Sequence, residues 1–139
     1  AGIKESSANL ALQGEIRRRA PERFKILVGA APTMLASLIQ GACGAIVAIG
    51  CALPLPTVEL HGTFRSGNWQ RAAELQENLS PPAAAVTTGF GVPGLKVAMD
   101  LMGFYGGEPR LPLLPLNEKQ RATLISIFRA AGFLQEAGP

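Results

Sequence analysis

Histidine is nearly missing from this chain and cysteine is scarce. His61 stands alone, and Cys43 and Cys51 are the two cysteines among 139 residues. Three such side chains cannot build the usual Cys/His set of a four-ligand zinc site, and two cysteines make no disulfide framework. Neither a metal nor an organic cofactor is expected. Both cysteines lie in apolar, Gly- and Ala-rich sequence, which predicts buried free thiols. Charge is low as well: Asp, Glu, Lys and Arg are 17% of the chain, against roughly 25% in an average globular domain. That composition is unlike a disordered tail. The formal net charge of +3 is a mild excess without a clustered basic face, so nucleic acid is not an expected partner. His61 and Trp69 read as packing or surface residues.

Apolar residues fill the remainder, at 47% of the chain. The length fits one domain with a real core. From Ile26 to Val58 there is no charged residue over 33 positions. A membrane span needs about 20 apolar residues, but Gly29, Pro32, Gln40, Gly41 and Gly44 cut this run into short pieces. KILVG and GAIVAIG read as strands, apolar on both faces, of a buried parallel sheet. Between them PTMLASLIQG reads as a helix with Pro in its first turn and Gly at its end. Strand, helix and strand over so few residues make a βαβ unit. A membrane hairpin is the competing reading of the same run, and no membrane partner is expected.

The pattern extends outward. AGIK reads as a short strand, and NLALQGEIRRRAP as an amphipathic helix with Arg17, Arg18 and Arg19 in its last turn, where cations oppose the helix dipole. After Pro56 the strands stop. TVELHGTFRSG and NWQRAAELQENL read as helices, PPAAAVTTGFG is ambiguous, and VPGLKVAMDLMG reads as a further helix. NEKQRATLISIFRAAG is the clearest one, capped by Asn117 and closed by Gly132. The expected class is therefore α/β, with residues 1–56 holding three parallel strands and residues 57–139 a helical block of the same domain.

Chemistry points to Lys4, at the end of a strand in Gly2-Ile3-Lys4-Glu5-Ser6-Ser7. The plain reading is a surface lysine at a strand terminus. The chemical reading is an imine-forming amine, which attacks a ketone only when uncharged, a state that burial favours.

AGIKESSAN resembles the lysine-bearing strand of the dihydrodipicolinate synthase and N-acetylneuraminate lyase superfamily, whose usual form is Gly-Ile-Lys-Asp-Ser-Ser-Gly-Asp. KILVGAAPTMLASLIQGACGAIVAIGCALP is similar to the next two strands of that family and the helix between them. FGVPGLKVAMDLMGFYGGEPRLPLLPL is similar to its C-terminal helices, and its GxxGLK…MxxxGFYGGxxRxPLxxL pattern most resembles the 4-hydroxy-2-oxoglutarate aldolase branch. The resemblance implies strands six to eight of a (β/α)8 TIM barrel, followed by C-terminal helices. It also implies class I, Schiff-base aldolase or lyase chemistry on pyruvate-derived 2-oxo acids. Three strands cannot close a barrel and would leave an open sheet with naked edges and exposed apolar faces, so a homo-oligomer associating through those edges is expected. By the same matching Lys4 is the imine-forming lysine. Ser6 is a substrate contact on the same side of the strand, Ile46 offers main chain beside the pyruvyl group, and Gly29 lines the pocket. Dihydrodipicolinate synthase and 2-keto-3-deoxy acid aldolase are the alternative branches, and a non-catalytic oligomerising remnant is the rival class.

The sequence also departs from the family pattern. Ala31 and Pro32 stand where the sialic acid branch carries acidic residues, which disfavours a long sugar acid. Ala8 replaces the usual glycine of the turn, Asn9 the acid after it, and Cys51 a usual asparagine. The chain opens three residues before the lysine, so the resemblance leaves the first five strands unaccounted for. A C-terminal half that is inactive alone is the expectation. The compartment is expected to be cytoplasmic or mitochondrial, any targeting segment lying upstream.

Overall fold

In the computed structural model, which describes residues 1–135, a run of small and polar residues ends the first strand and starts the first helix. β1 (Gly2–Glu5) gives way at Ser6, and Asn9 caps α1 (Leu10–Arg19) by accepting from the Leu12 amide at 3.0 Å. The three arginines fall in the last turn of α1, where they oppose the helix dipole as expected. Arg18 and Arg19 also reach back to Glu15. β2 (Lys25–Val28) follows, then a 3-10 turn at Ala31–Thr33 around Pro32, and α2 (Met34–Ile39). β3 (Gly44–Ala45) completes a parallel sheet in the order β1-β2-β3. The βαβαβ order is the one the sequence predicts.

Two expectations about these strands are corrected. GAIVAIG forms a strand only at Gly44–Ala45, because Ala48–Cys51 turns into a 3-10 helix. The sheet is also covered on one face rather than two. The register pairs Ile3 with Ile26, Lys4 with Leu27 and Glu5 with Val28, and then Leu27 with Gly44 and Val28 with Ala45. Side chains alternate along a strand. Ile26 and Val28, each 1% exposed, therefore face the helices, while Lys4 and Leu27 face the other way. Leu27 is half-buried, Lys4 is exposed and Ile46 is 52% exposed. The thiols are corrected as well: Cys43 and Cys51 are both exposed. Their apolar neighbours suggested a buried site, but Cys43 enters an edge strand and Cys51 ends a surface 3-10 turn.

The helical block is α3 (Pro54–Arg65), α4 (Trp69–Ala84), α5 (Gly91–Leu101) and α6 (Glu118–Ala130). The ambiguous PPAAAVTTGFG prolongs α4 through Pro81 and Pro82 and then widens into a π turn at Ala85–Gly89. Two prolines inside a helix remove two backbone donors. The chain stays helical across them, and the Ser80 hydroxyl donates to Gln76 O just before. After α5 the GFYGG stretch folds back on that helix. Lys96 Nζ donates to Gly106 O at 2.6 Å, and the Gly106 amide donates to Asp100 Oδ1 at 2.8 Å. A Cβ at Gly106 would collide with the Lys96 carbonyl, which fixes glycine there. α6 opens with a full capping box of Asn117 and Gln120.

Sheet and helices share one core. Ile26, Val28, Met34 and Leu38 join Ile49, Leu53, Leu60, Leu79, Leu124 and Phe128 in a single cluster. Each such side chain contributes about 1.5–3 kcal/mol by leaving water, so the helical block anchors the covered face of the sheet. No helix among the described residues is long and apolar enough to cross a membrane.

Candidate functional site

The turn after β1 sets the geometry. The Glu5 side chain is 7% exposed and accepts from the Ser7 amide at 2.7 Å, and the Ser7 hydroxyl accepts from the Asn9 amide at 3.1 Å. Between them Ala8 adopts φ 60°, a left-handed conformation that costs a residue with a Cβ about 1–2 kcal/mol. The turn therefore has a physical use for the glycine that Ala8 replaces. It brings Ser6 out of the strand on the same side as Lys4.

Beyond the ladder the strands stay in step for one more residue. The Gly29 amide donates to Glu5 O at 2.6 Å, and the Ile46 amide donates to Val28 O at 2.8 Å. Ser6, Gly29 and Ile46 thus form the next row after Glu5, Val28 and Ala45. This row shares the open face with Lys4, Leu27 and Gly44. A Cβ added at Gly29 would lie 2.8 Å from Lys4 Cε and from Ser6 Cβ, and would collide with Ser6 Oγ. Gly29 is a glycine because Lys4 and Ser6 occupy its side-chain space. Gly44 is less constrained, since a Cβ there would meet only Leu27 Cδ2, at 3.3 Å.

The four residues singled out in the sequence, Lys4, Ser6, Gly29 and Ile46, therefore meet on one face at the carboxyl ends of parallel strands. Ligands of parallel α/β sheets bind at that end. The set offers a primary amine, a hydroxyl beside it, and main chain at Gly29 and Ile46 that a substrate can approach closely. The strands put no carboxylate on this face, because Glu5 turns to the covered one. The amine lies in the open rather than beneath a barrel mouth.

Two further features stand out, of which Gln76 went unread in the sequence and His61 was read there as a packing or surface residue. Gln76 of α4 clamps the segment that follows Gly29. Its Oε1 accepts from the Leu35 amide at 2.8 Å, and its Nε2 donates to Ala31 O at 3.0 Å and to Ser80 Oγ at 2.8 Å. A glutamine in a charged helix resembles any solvent-facing residue, so no sequence signal marks it. The second feature is His61 of α3, whose Nε2 is buried without a hydrogen-bond partner. It lines a cavity of about 300 Å³ with Thr57, Cys43, Gly44 and Leu27, at the outer edge of β3. Trp69 packs its ring edge against Phe64 at 5.4 Å between centroids.

Comparison with known proteins identifies the family and the fold. The profile of the Dihydrodipicolinate synthetase family matches residues 1–131. A 4-hydroxy-tetrahydrodipicolinate synthase of Archaeoglobus fulgidus is 33% identical over 129 residues, covering 93% of this chain and 45% of the relative. The crystal structure of a dihydrodipicolinate synthase from Thermotoga maritima superposes with a TM-score of 0.85 at 29% identity, covering 96% of this chain and 46% of that one. A prophage protein of the dihydrodipicolinic acid synthase family from E. coli K12, solved in complex with pyruvate, gives a TM-score of 0.84 at 27% identity, with the same coverage. The chain spans a little under half the length of these proteins. A family model that matches residues 1–131 and a relative 33% identical over 93% of the chain make it a member of the dihydrodipicolinate synthetase family.

Proposed function

We propose that this chain carries the imine-forming part of a class I aldolase or lyase that acts on pyruvate. One observation supports the reading above the others: Lys4, Ser6, Gly29 and Ile46 share the open face at the carboxyl ends of the strands. In this reading Lys4 Nζ, as the free amine, adds to the C2 carbonyl of pyruvate, and loss of water leaves the imine. Loss of a C3 proton then gives the enamine, whose C3 forms or releases the new carbon–carbon bond, and hydrolysis frees Lys4. Ser6 orients the bound acid, and the bare main chain at Gly29 and Ile46 admits it. The face has no carboxylate of its own, so the C3 proton moves to water or to a group supplied from outside these strands. The solved relative with bound pyruvate supports the choice of substrate.

The second substrate has two readings. The tail pattern from Gly91 to Leu116 favours 4-hydroxy-2-oxoglutarate cleavage, whereas the name of the Archaeoglobus relative favours synthesis of 4-hydroxy-tetrahydrodipicolinate. Borohydride reduction in the presence of pyruvate, read by intact mass and peptide mapping, tests the shared step. A stable adduct on Lys4 that is lost in Lys4→Arg is expected. Label on other lysines, or none on a folded chain, refutes the reading for this polypeptide. Turnover assays with each second substrate then separate the branches.

A further inference from the structure

We infer that Gln76 is a positioning residue of the site: from the helical block it sets where the bare main chain at Gly29 stands against Lys4, and with that how tightly the small 2-oxo acid is held. The inference rests on the imine chemistry proposed above. It is carried by the way the chain leaves the middle strand. Gly29 is central in the row of Ser6, Gly29 and Ile46, and its amide is tied to β1 through Glu5 O at 2.6 Å. The residues that follow draw little support from their own neighbours. Ala30 O accepts from the Thr33 amide and the Thr33 hydroxyl, both at 3.2 Å. Pro32 has no amide to donate. The first turn of α2 receives no side-chain cap.

Gln76 supplies the missing hold from α4. Ala31 is buried, and its carbonyl accepts from the Met34 amide within the turn and from Gln76 Nε2 at 3.0 Å. The Leu35 amide donates to Gln76 Oε1 at 2.8 Å. An amide nitrogen has two hydrogens, and the second goes to Ser80 Oγ at 2.8 Å. Every polar atom of the Gln76 amide therefore has a fixed partner, and the group cannot flip. It grips the segment at Ala31 and at Leu35, starting two residues beyond Gly29. Lys4 stands on β1, to which Gln76 makes no hydrogen bond among the described residues. The grip thus acts on the wall and not on the amine. The space between the Gly29 main chain, Lys4 Cε and Ser6 Oγ is too tight for a Cβ, so a small displacement of this wall changes how a bound acid fits. Imine formation on an acid already bound keeps its rate. A loss of that kind moves half-saturation and spares the saturated rate.

The test follows the initial rate of cyanoborohydride trapping at Lys4 against pyruvate concentration, with the folded fraction of each variant set by circular dichroism. Gln76→Ala and Gln76→Met, the second filling similar space without hydrogen-bond groups, are each expected to raise half-saturating pyruvate about fivefold or more. The saturated rate per folded molecule is expected to stay within about twofold. Ser80→Ala leaves the bonds to Ala31 and Leu35 in place, and Leu124→Val loosens the buried core at α6 away from the wall. Neither is expected to move half-saturation. Lost stability alone lowers the amount of adduct and not the half-saturating concentration, so the shift separates positioning from support of the fold. Unmoved half-saturation in the Gln76 variants, an equal shift in Leu124→Val, or a fall in saturated rate in place of the shift each overturns the inference. So does failure of both Gln76 variants to fold, which makes the residue a support of the whole domain. Absence of a Lys4 adduct from the unaltered chain refutes the proposed chemistry, and the positioning with it. An adduct on the unaltered chain with the same half-saturation in Gln76→Ala refutes the positioning alone.

Discussion

Replacing Gln76 with alanine removes three hydrogen bonds, two of which tie α4 to the segment following Gly29. The Leu35 amide is one of the unpaired donors of the first turn of α2, and Thr33, the cap residue, offers it no side-chain bond. Gln76 Oε1 thus does from a distance what a capping side chain does locally, and Nε2 holds the buried Ala31 carbonyl. Losing a net hydrogen bond costs about 1 kcal/mol, and a donor or acceptor left dry costs about 1–3. Better helix propensity of alanine returns a few tenths. The expected loss is therefore about 2 kcal/mol in urea unfolding, with faster exchange of the Leu35 amide. Asn78→Ala, at an exposed position of the same helix, is expected to be neutral or slightly stabilising, since alanine is the better helix former. Gln76→Glu keeps the acceptor for Leu35 but turns a carboxylate toward Ala31 O, so it is expected to be no more stable than the alanine variant. A Gln76→Ala cost below about 0.5 kcal/mol, or unchanged exchange at Leu35, refutes the clamp.

Ala8→Gly relieves the φ 60° conformation and is expected to stabilise the chain by about 0.5–1 kcal/mol after the unfolded-state penalty of glycine; a shift of the urea midpoint checks it. Gly29→Ala drives a Cβ into Lys4 Cε and Ser6, an overpacking expected to cost about 1–3 kcal/mol and to abolish pyruvate trapping; adding Ser6→Gly is expected to recover stability but not trapping. Both thiols are exposed, so a colourimetric disulfide reagent is expected to titrate two per chain without denaturant. The side-chain hydrogen bond from Arg18 holds the Glu15 carboxyl below its ordinary range, against slight desolvation and with help from Arg19. A carboxyl lowered in the folded state stabilises above its unfolded pKa and loses that contribution as pH falls through the carboxylate range. Glu15→Gln is therefore expected to destabilise slightly at neutral pH, less in high salt and not at all in acid, by urea midpoints taken at each pH.

What was legible in the sequence follows from what is local. Asn9 and Asn117 announced their helices because a cap acts within three residues, and the strand of Lys4 showed itself by the apolar positions and glycines around it. The open face followed from the strand count, since three strands cannot close a barrel, but not from the local pattern. KILVG is equally apolar whether one or both faces are covered, and only the register, with Ile26 and Val28 inward and Leu27 outward, decides which side chains meet water. The same blindness placed both thiols in a core. Gln76 was hidden for another reason: its partners Leu35 and Ala31 lie 41 and 45 residues away, and no periodicity carries that information.

Gly29 joins these levels. Composition marks it only as one of sixteen glycines, and the strand pattern marks it only as a stop. Its need for no side chain arises between strands, because Lys4 and Ser6 fill the space a Cβ would take. Lys4 alone does not require its neighbour to be bare, since its flexible stem can swing aside into solvent. Ser6 is different, because its Cβ, also 2.8 Å from that position, moves only with the backbone. The bare glycine, the hydroxyl and the amine beside them form one arrangement. In the function proposed above, that arrangement is where a small 2-oxo acid approaches all three groups.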